Sequence, residues 1–181
     1  MKLYHGTSID NAKRIIKEGF KDRLVSKKNN WKGKFRSHSG FIYLTRAYPF
    51  YYGMNTAKSK DKLASVLLVE VDEKDLYPDD DFLRQVLKTN DDRIDLEKYK
   101  EYGLLSLENI GNVSIKPGKI KKVIGYKDFD ITKMWRYSDP SMHIMNYKIL
   151  GGYYRRLTDE WWNDGNWENI TISNYTMKGG E

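Results

Sequence analysis

The stretch LYHGTS, residues 3–8, sets a histidine, a glycine and two hydroxyl side chains side by side. The chain has three histidines and they are scattered, so His5 suits hydrogen bonding or proton handling better than a metal-ligand set. An ordinary helix start, with Ser8 as its cap, accounts for Ser8 and for Gly19 further on, but gives no reason for the His5-Gly6 pair. A second stretch with chemistry in it is KDRLVSKKNNWKGKFR, residues 21–36, where seven Lys or Arg stand against one Asp, a local charge of +6. Arg23, Lys27, Lys28, Lys32, Lys34 and Arg36 can neutralise phosphates, while Trp31 and Phe35 can stack on unpaired bases. A solvated loop that keeps the protein soluble explains the same charge equally well.

These residues need a frame, and the chain is long enough to build one. Its 181 residues, 39% hydrophobic and 14% aromatic, are enough for one domain with a real core. There are no cysteines, so disulfides and thiolate metal sites are excluded, and no metal is expected. No apolar run reaches the length of a membrane span, and MKLYHGTSID lacks the apolar core of a signal peptide. A cytoplasmic monomer is the default expectation.

Hydrophobic periodicity and turn residues then place the elements. A short strand is expected over 2–4. A helix of roughly ten residues should follow, capped by Ser8, stopped by Gly19, with Ala12, Ile15 and Ile16 as its buried stripe. GFIYLT (40–45) reads as a strand, and RAYPFYYGMNTAKS as a helix with Pro49 in its first turn. ASVLLVEVD (64–72), apolar on both faces, reads as a central strand. Asp79 to Asp81 should cap a helix through Leu87, and DLEKYKEYG should form a weaker one. NVSIK (112–116) and KIKKVIGY (119–126) read as strands joined at a Pro-Gly turn. Beyond Asp130 the chain is rich in Trp and Tyr, with Asp139-Pro140 opening another helix. The expectation is an α+β fold with a core over residues 1–130 and a C-terminal appendage, residues 131–181, packed on it.

The segments YHGTS…A…I…GF and GFIYLT…A…Y, followed by a glutamate on a short strand before NVSIKPGKI, together resemble the ADP-ribosyltransferase family. The likeness is to the branch marked by His, Tyr and Glu, and to its small bacterial and phage members and toxins. It implies a split β-sheet core and the use of NAD as substrate without a metal. By resemblance, His5 bonds a ribose hydroxyl, and the main chain of Gly6 holds the nicotinamide amide, a close approach that a missing side chain permits. Thr7 belongs to the same cradle. Tyr43 packs on the nicotinamide ring, where a flat cation gains from an aromatic face. Tyr48, Tyr51 and Tyr52 compete for a second ring, with Tyr51 preferred. Glu108, with Ser106 two residues before it, matches the catalytic glutamate that balances charge on the ribose, and Glu101 is its rival.

The resemblance implies transfer of ADP-ribose to a macromolecule. The basic run, with Tyr153, Tyr154, Arg155 and Arg156 as a second cluster, tilts the choice toward a nucleic-acid acceptor over protein. Two alternatives remain open. One is an RNA 2′-phosphotransferase, which uses NAD and begins with a similar His-Gly-Thr stretch. The other is a nucleic-acid-binding module on the same fold without activity.

Overall fold

The structure, a computed structural model, describes residues 1–21, 38, 40–57, 62–91, 94–133 and 147–164. The basic run and Asp139-Pro140 fall outside these. Six strands form one sheet in the order β4-β5-β2-β1-β3-β6: β1 (Lys2–Ser8), β2 (Ile42–Thr45), β3 (Leu63–Val71), β4 (Leu76–Pro78), β5 (Asn112–Ile115) and β6 (Ile120–Asp130). All five pairings are antiparallel. Five α-helices lie among the described residues: α1 (Ile9–Glu18), α2 (Pro49–Thr56), α3 (Asp80–Leu87), α4 (Gly103–Ile110) and α5 (Tyr147–Asp164). The result is a mixed α and β architecture, and no helix among these residues is long and apolar enough to cross a membrane.

Strand β1 is longer than its sequence suggests. Alternation fails to mark it because both its faces are covered and every residue from Leu3 to Ser8 is buried. It runs to Ser8 because β3 gives it seven register partners, from Lys2 with Glu70 to Ser8 with Ala64. His5, Gly6 and Thr7 are therefore mid-strand rather than leading into a helix. Ser8 ends the strand and caps α1 at once, its hydroxyl accepting from the Asn11 N–H at 3.4 Å. Gly19, at φ +74°, ends that helix. Ala12 and Ile15 are buried against Leu67, whereas Ile16 is exposed and stands outside the stripe expected for it.

Helix α2 explains Gly6. A methyl group on Gly6 would lie 1.8 Å from the Pro49 carbonyl oxygen and 2.6 Å from the Gly53 nitrogen. The helix backbone rests directly on the strand, and Pro49 at its first turn lets it start there without an unsatisfied N–H. Phe50 of α2, Phe129 of β6 and Trp161 of α5 interlock edge to face above the same sheet face, with Tyr4, Ala64, Val66 and Leu68 beneath. Helix α5 is thus part of the main core, since Trp161 is 1% exposed and Tyr147, Tyr154 and Leu157 join it.

Two other segments differ from the sequence reading. LLSLENI forms helix α4, not a short strand with a glutamate, because Gly103 and Gly111 bound it and Leu107 and Ile110 at i, i+3 face inward. DLEKYKEYG forms a 3-10 helix, Leu96–Tyr102, capped by the Asp95 side chain. Strands β5 and β6 flank the Pro-Gly turn but do not pair. β5 joins β2 and β4, and β6 joins β3 at the far edge.

Gly6→Ala tests the packing explanation. Backbone rather than a flexible side chain obstructs the added methyl, so the cost falls at the upper end of overpacking, about 3 kcal/mol. Urea denaturation should show that loss without any ligand present. An undiminished midpoint would return Gly6 to a purely ligand-facing role.

Candidate functional site

The sheet is continuous on one side of β1 and nearly open on the other. Against β3, β1 pairs along its whole length, but against β2 the register holds one pair, Tyr4 with Thr45. Beyond that pair the seam is bridged by a side chain: His5 Nδ1 lies 2.9 Å from the Tyr43 carbonyl oxygen. A carbonyl only accepts, so Nδ1 carries the proton, and in the neutral ring Nε2 presents the lone pair. Phe20 holds the imidazole edge to face at 5.3 Å, and His5 is 7% exposed.

Tyr43 sits across the seam, but its ring takes the other face. Tyr4 and Thr45 are directly opposed, so they share a face. Alternation then puts the Tyr43 ring on that face and the His5 ring on the opposite one. Thr7 is 1% exposed, and its hydroxyl accepts from the Asn11 side chain at 3.3 Å, tying β1 to α1. Gly6, as shown above, is filled by α2 and has no room for a ligand on its Cα side.

The Tyr43 hydroxyl is the centre of a buried cluster. It donates to Asp80 Oδ2 and accepts the His38 backbone N–H at 3.0 Å. His38 Nε2 closes the ring, 2.8 Å from Asp80 Oδ1. Asp79 caps α3 by accepting the Asp81 N–H at 2.9 Å, and Asp81 in turn pairs with Arg84 at 3.0 Å. The sequence reading took these acids only as a helix cap. Helix start and charge cluster coincide here because the N-terminal end of α3 favours negative side chains. Burial, and then the Asp80 charge, push the Tyr43 phenol well above its ordinary value. Burial, with Asp81 and Asp80 beside it, raises the Asp79 carboxyl well above the usual range.

Among the three rival tyrosines, Tyr48 is core, in edge-to-face contact with Tyr147 and tilted against Tyr154. Tyr51 is partly buried and packs edge to face on Tyr52. Tyr52 is the one whose phenol feels the acidic cluster, since burial and then Asp79 and Asp81 raise it. Ser106, expected to contact the ligand, is fully buried; its hydroxyl donates to the Asn112 carbonyl at 2.8 Å and accepts the Asp79 N–H at 3.0 Å. Glu108 lies two residues on along α4, on the exposed side, since residues at i and i+2 do not share a helix face. Glu101 is also exposed. Arg23, Lys27, Lys28, Trp31, Lys32, Lys34 and Arg36 lie outside the described residues.

Asn112 was not singled out from sequence and is the most unusual polar group near the seam. It pairs with Thr45, is 2% exposed, and neither side-chain polar atom has a partner among the described residues. A buried amide left unpaired costs about 1–3 kcal/mol. A lone asparagine at the start of a strand gives no sequence signal that could have marked it. The chain matches no protein-family model and no curated protein.

His38 gives this cluster a pH signature. Its hydrogen bond to Asp80 raises its pKa above 6.5, against burial and Arg84, which lower it, while Asp95 adds a smaller upward push. A histidine raised in the folded state stabilises fully below its unfolded pKa and loses that contribution as pH climbs through the folded value. Thermal stability should therefore decline from pH 6 toward pH 8.5, and His38→Gln should make that decline shallower. Parallel curves for the two proteins would remove His38 from the account.

Proposed function

We propose that this protein is an NAD-dependent ADP-ribosyltransferase acting on a macromolecule, with nucleic acid preferred over protein as acceptor. The observation that supports it most is the seam between β1 and β2, held by one register pair and spanned by His5 and the Tyr43 carbonyl. A seam this thin, with a histidine on one strand and a tyrosine on the other, is in keeping with the split core that the resemblance implies, although β1 and β2 remain neighbours in one sheet and the two rings lie on opposite faces of it. The unpaired Asn112 amide on the tyrosine side suits recognition of a carboxamide, which offers the donor and acceptor that Asn112 lacks.

NAD supplies an ADP-ribosyl group joined to a positively charged nicotinamide, and breaking that bond moves positive charge onto the ribose. In this reading His5, its Nδ1 held by the Tyr43 carbonyl, orients a ribose hydroxyl from the face of the sheet opposite the Tyr43 ring, so the ligand would have to reach both sides of the β1/β2 seam. Tyr43 has its ring locked by Asp80 and His38, so its face is preorganised toward the nicotinamide side. The negative charge that balances the cation comes from Asp80, which is hydrogen-bonded to Tyr43, rather than from Glu108 on the exposed side of α4. In sequence the basic run ends two residues before His38, the residue that closes this cluster.

Incubation with labelled NAD, followed by mass spectrometry of added nucleic acid and protein, tests the activity and names the acceptor. Asp80→Asn should lower transfer roughly 100-fold or more, while Glu108→Gln should stay within about threefold of the parent, since an exposed carboxylate off the site carries little of the barrier. The reverse order would restore Glu108 as the catalytic carboxylate. Absence of any labelled product in the parent protein would remove the proposal itself.

Asn112→Ala separates ligand from fold. Deleting an amide that makes no internal hydrogen bond should leave the melting temperature close to the parent's. NAD binding should weaken about tenfold, the loss of one good hydrogen-bonded contact. A variant that melts much lower yet binds NAD as before would make Asn112 a structural residue.

A further inference from the structure

A cavity of about 550 Å3 opens between β1, β3, β6 and α5, on the same sheet face as Tyr43 but around Tyr4. That is the size of a small-molecule site, which ranges over roughly 300–1,000 Å3. Its walls are not those of a simple packing void. Lys2, Arg46 and Arg155 line it against a single carboxylate, Asp159. That carboxylate is already engaged: one oxygen accepts the Tyr4 hydroxyl at 2.7 Å, and the other lies 3.9 Å from the Arg155 guanidinium. Arg155, with its side chain 57% exposed and only loosely paired, can turn toward an anion. Lys127, which does not line the cavity, donates from its ammonium to the Trp162 carbonyl and so ties the residue that carries the indole to β6.

The rest of the lining is flat or apolar. Trp162 and Tyr4 stand 5.9 Å apart at 58°, with Leu68 and Ile124 beside them. Excess positive charge beside two aromatic rings asks for a ligand that is anionic at one end and planar at the other. Arginine matches phosphate geometry, and an indole accepts a stacked base.

We infer that this cavity binds an aromatic base bearing a phosphate, as a free nucleoside monophosphate or as the phosphorylated end of a nucleic-acid strand. The site adjoins the β1/β2 seam at Tyr4 and Arg46 but does not include the His5 and Tyr43 side chains, and the inference stands whether or not the protein transfers ADP-ribose. Neither His5 nor Tyr43 lines it.

Isothermal titration calorimetry of the full chain tests this with adenosine 5′-monophosphate, adenosine, inorganic phosphate and a trinucleotide with and without a 5′-phosphate. Adenosine 5′-monophosphate or the phosphorylated trinucleotide should bind at one site, and the tighter of the two identifies the source of the ligand. Adenosine, phosphate and the unphosphorylated trinucleotide should each bind at least tenfold more weakly. Arg155→Ala, an exposed change that leaves the core alone, should weaken binding about fivefold, and Arg46→Ala with Arg155→Ala at least tenfold. Saturable binding by neither phosphorylated ligand overturns the inference. Equal affinity for adenosine and its monophosphate, or binding unchanged in the double variant, does so too.

Discussion

Helix α2 lies on β1 so closely that the strand must present a glycine, and much of the molecule follows from that contact. The Pro49 carbonyl and the Gly53 nitrogen occupy the space where any side chain on Gly6 would go. Once the helix is seated there, Phe50 reaches down between Phe129 and Trp161, and the third of these brings α5 into the core. Tyr48 is set between Tyr147 and Tyr154. On the other flank of the same helix, Tyr52 is brought under the influence of Asp79 and Asp81. A helix held farther off, as a larger residue at position 6 would require, would lose both sets of contacts at once. Interlocked interiors respond to such a shift as a unit because they are packed as densely as crystals.

The same strand is unequal on its two edges. Its bond to β3 is continuous over seven residues, while its bond to β2 is a single pair plus the imidazole of His5. Backbone groups that do not pair across the seam need other partners, and His5 meets one of them, the Tyr43 carbonyl. The histidine therefore has a structural contact whatever else it does. A reading in which it also orients a ligand depends on the second ring nitrogen, whose lone pair is set by the first. In that sense structure and function are not rival explanations for His5, because the structural bond fixes the tautomer that the functional role needs.

The legible part of the chain was its local punctuation. Ser8, Gly19, Pro49 and Asp79 each mark a boundary through a mechanism that acts within a few residues, and each boundary stands where its residue puts it. What escaped the sequence depends on contacts between distant segments. Gly6 reads as an opening for a ligand until the helix that fills it, more than forty residues on, is known. Ser106 reads as a polar residue two steps before a glutamate until helix α4 turns the two apart. Asp80 and His38, more than forty residues apart, meet only because Tyr43 stands between them. Asn112 is unmarked by any pattern, since its oddity is a side-chain amide without a partner among the described residues.

Charge on the Tyr43 face of the sheet is divided in a way that neither composition nor net charge foretells. Near β2 and α3 stand Asp79 and Asp80, both buried, and Asp81, exposed, with Arg84 and His38 as their counterweights. Near β1 and α5 stand Lys2, Arg46 and Arg155 against Asp159 alone. Arg46 lies between these regions in the chain, directly after the Thr45 that pairs with Tyr4, and its backbone N–H donates to the Gly111 carbonyl at 2.8 Å, beside Asn112. Opposite charges on one face produce a field along it, and a molecule with a cationic end and an anionic end approaching that face would be turned by the field before any hydrogen bond formed. A ligand with only one sign of charge gains at one end alone. For a ligand of the kind proposed above, selection would be by dipole as well as by shape, and Arg46→Glu would weaken it at the basic end; Asp80 is buried and bonded to Tyr43 and His38, so a cation there would break the cluster rather than only reverse the field.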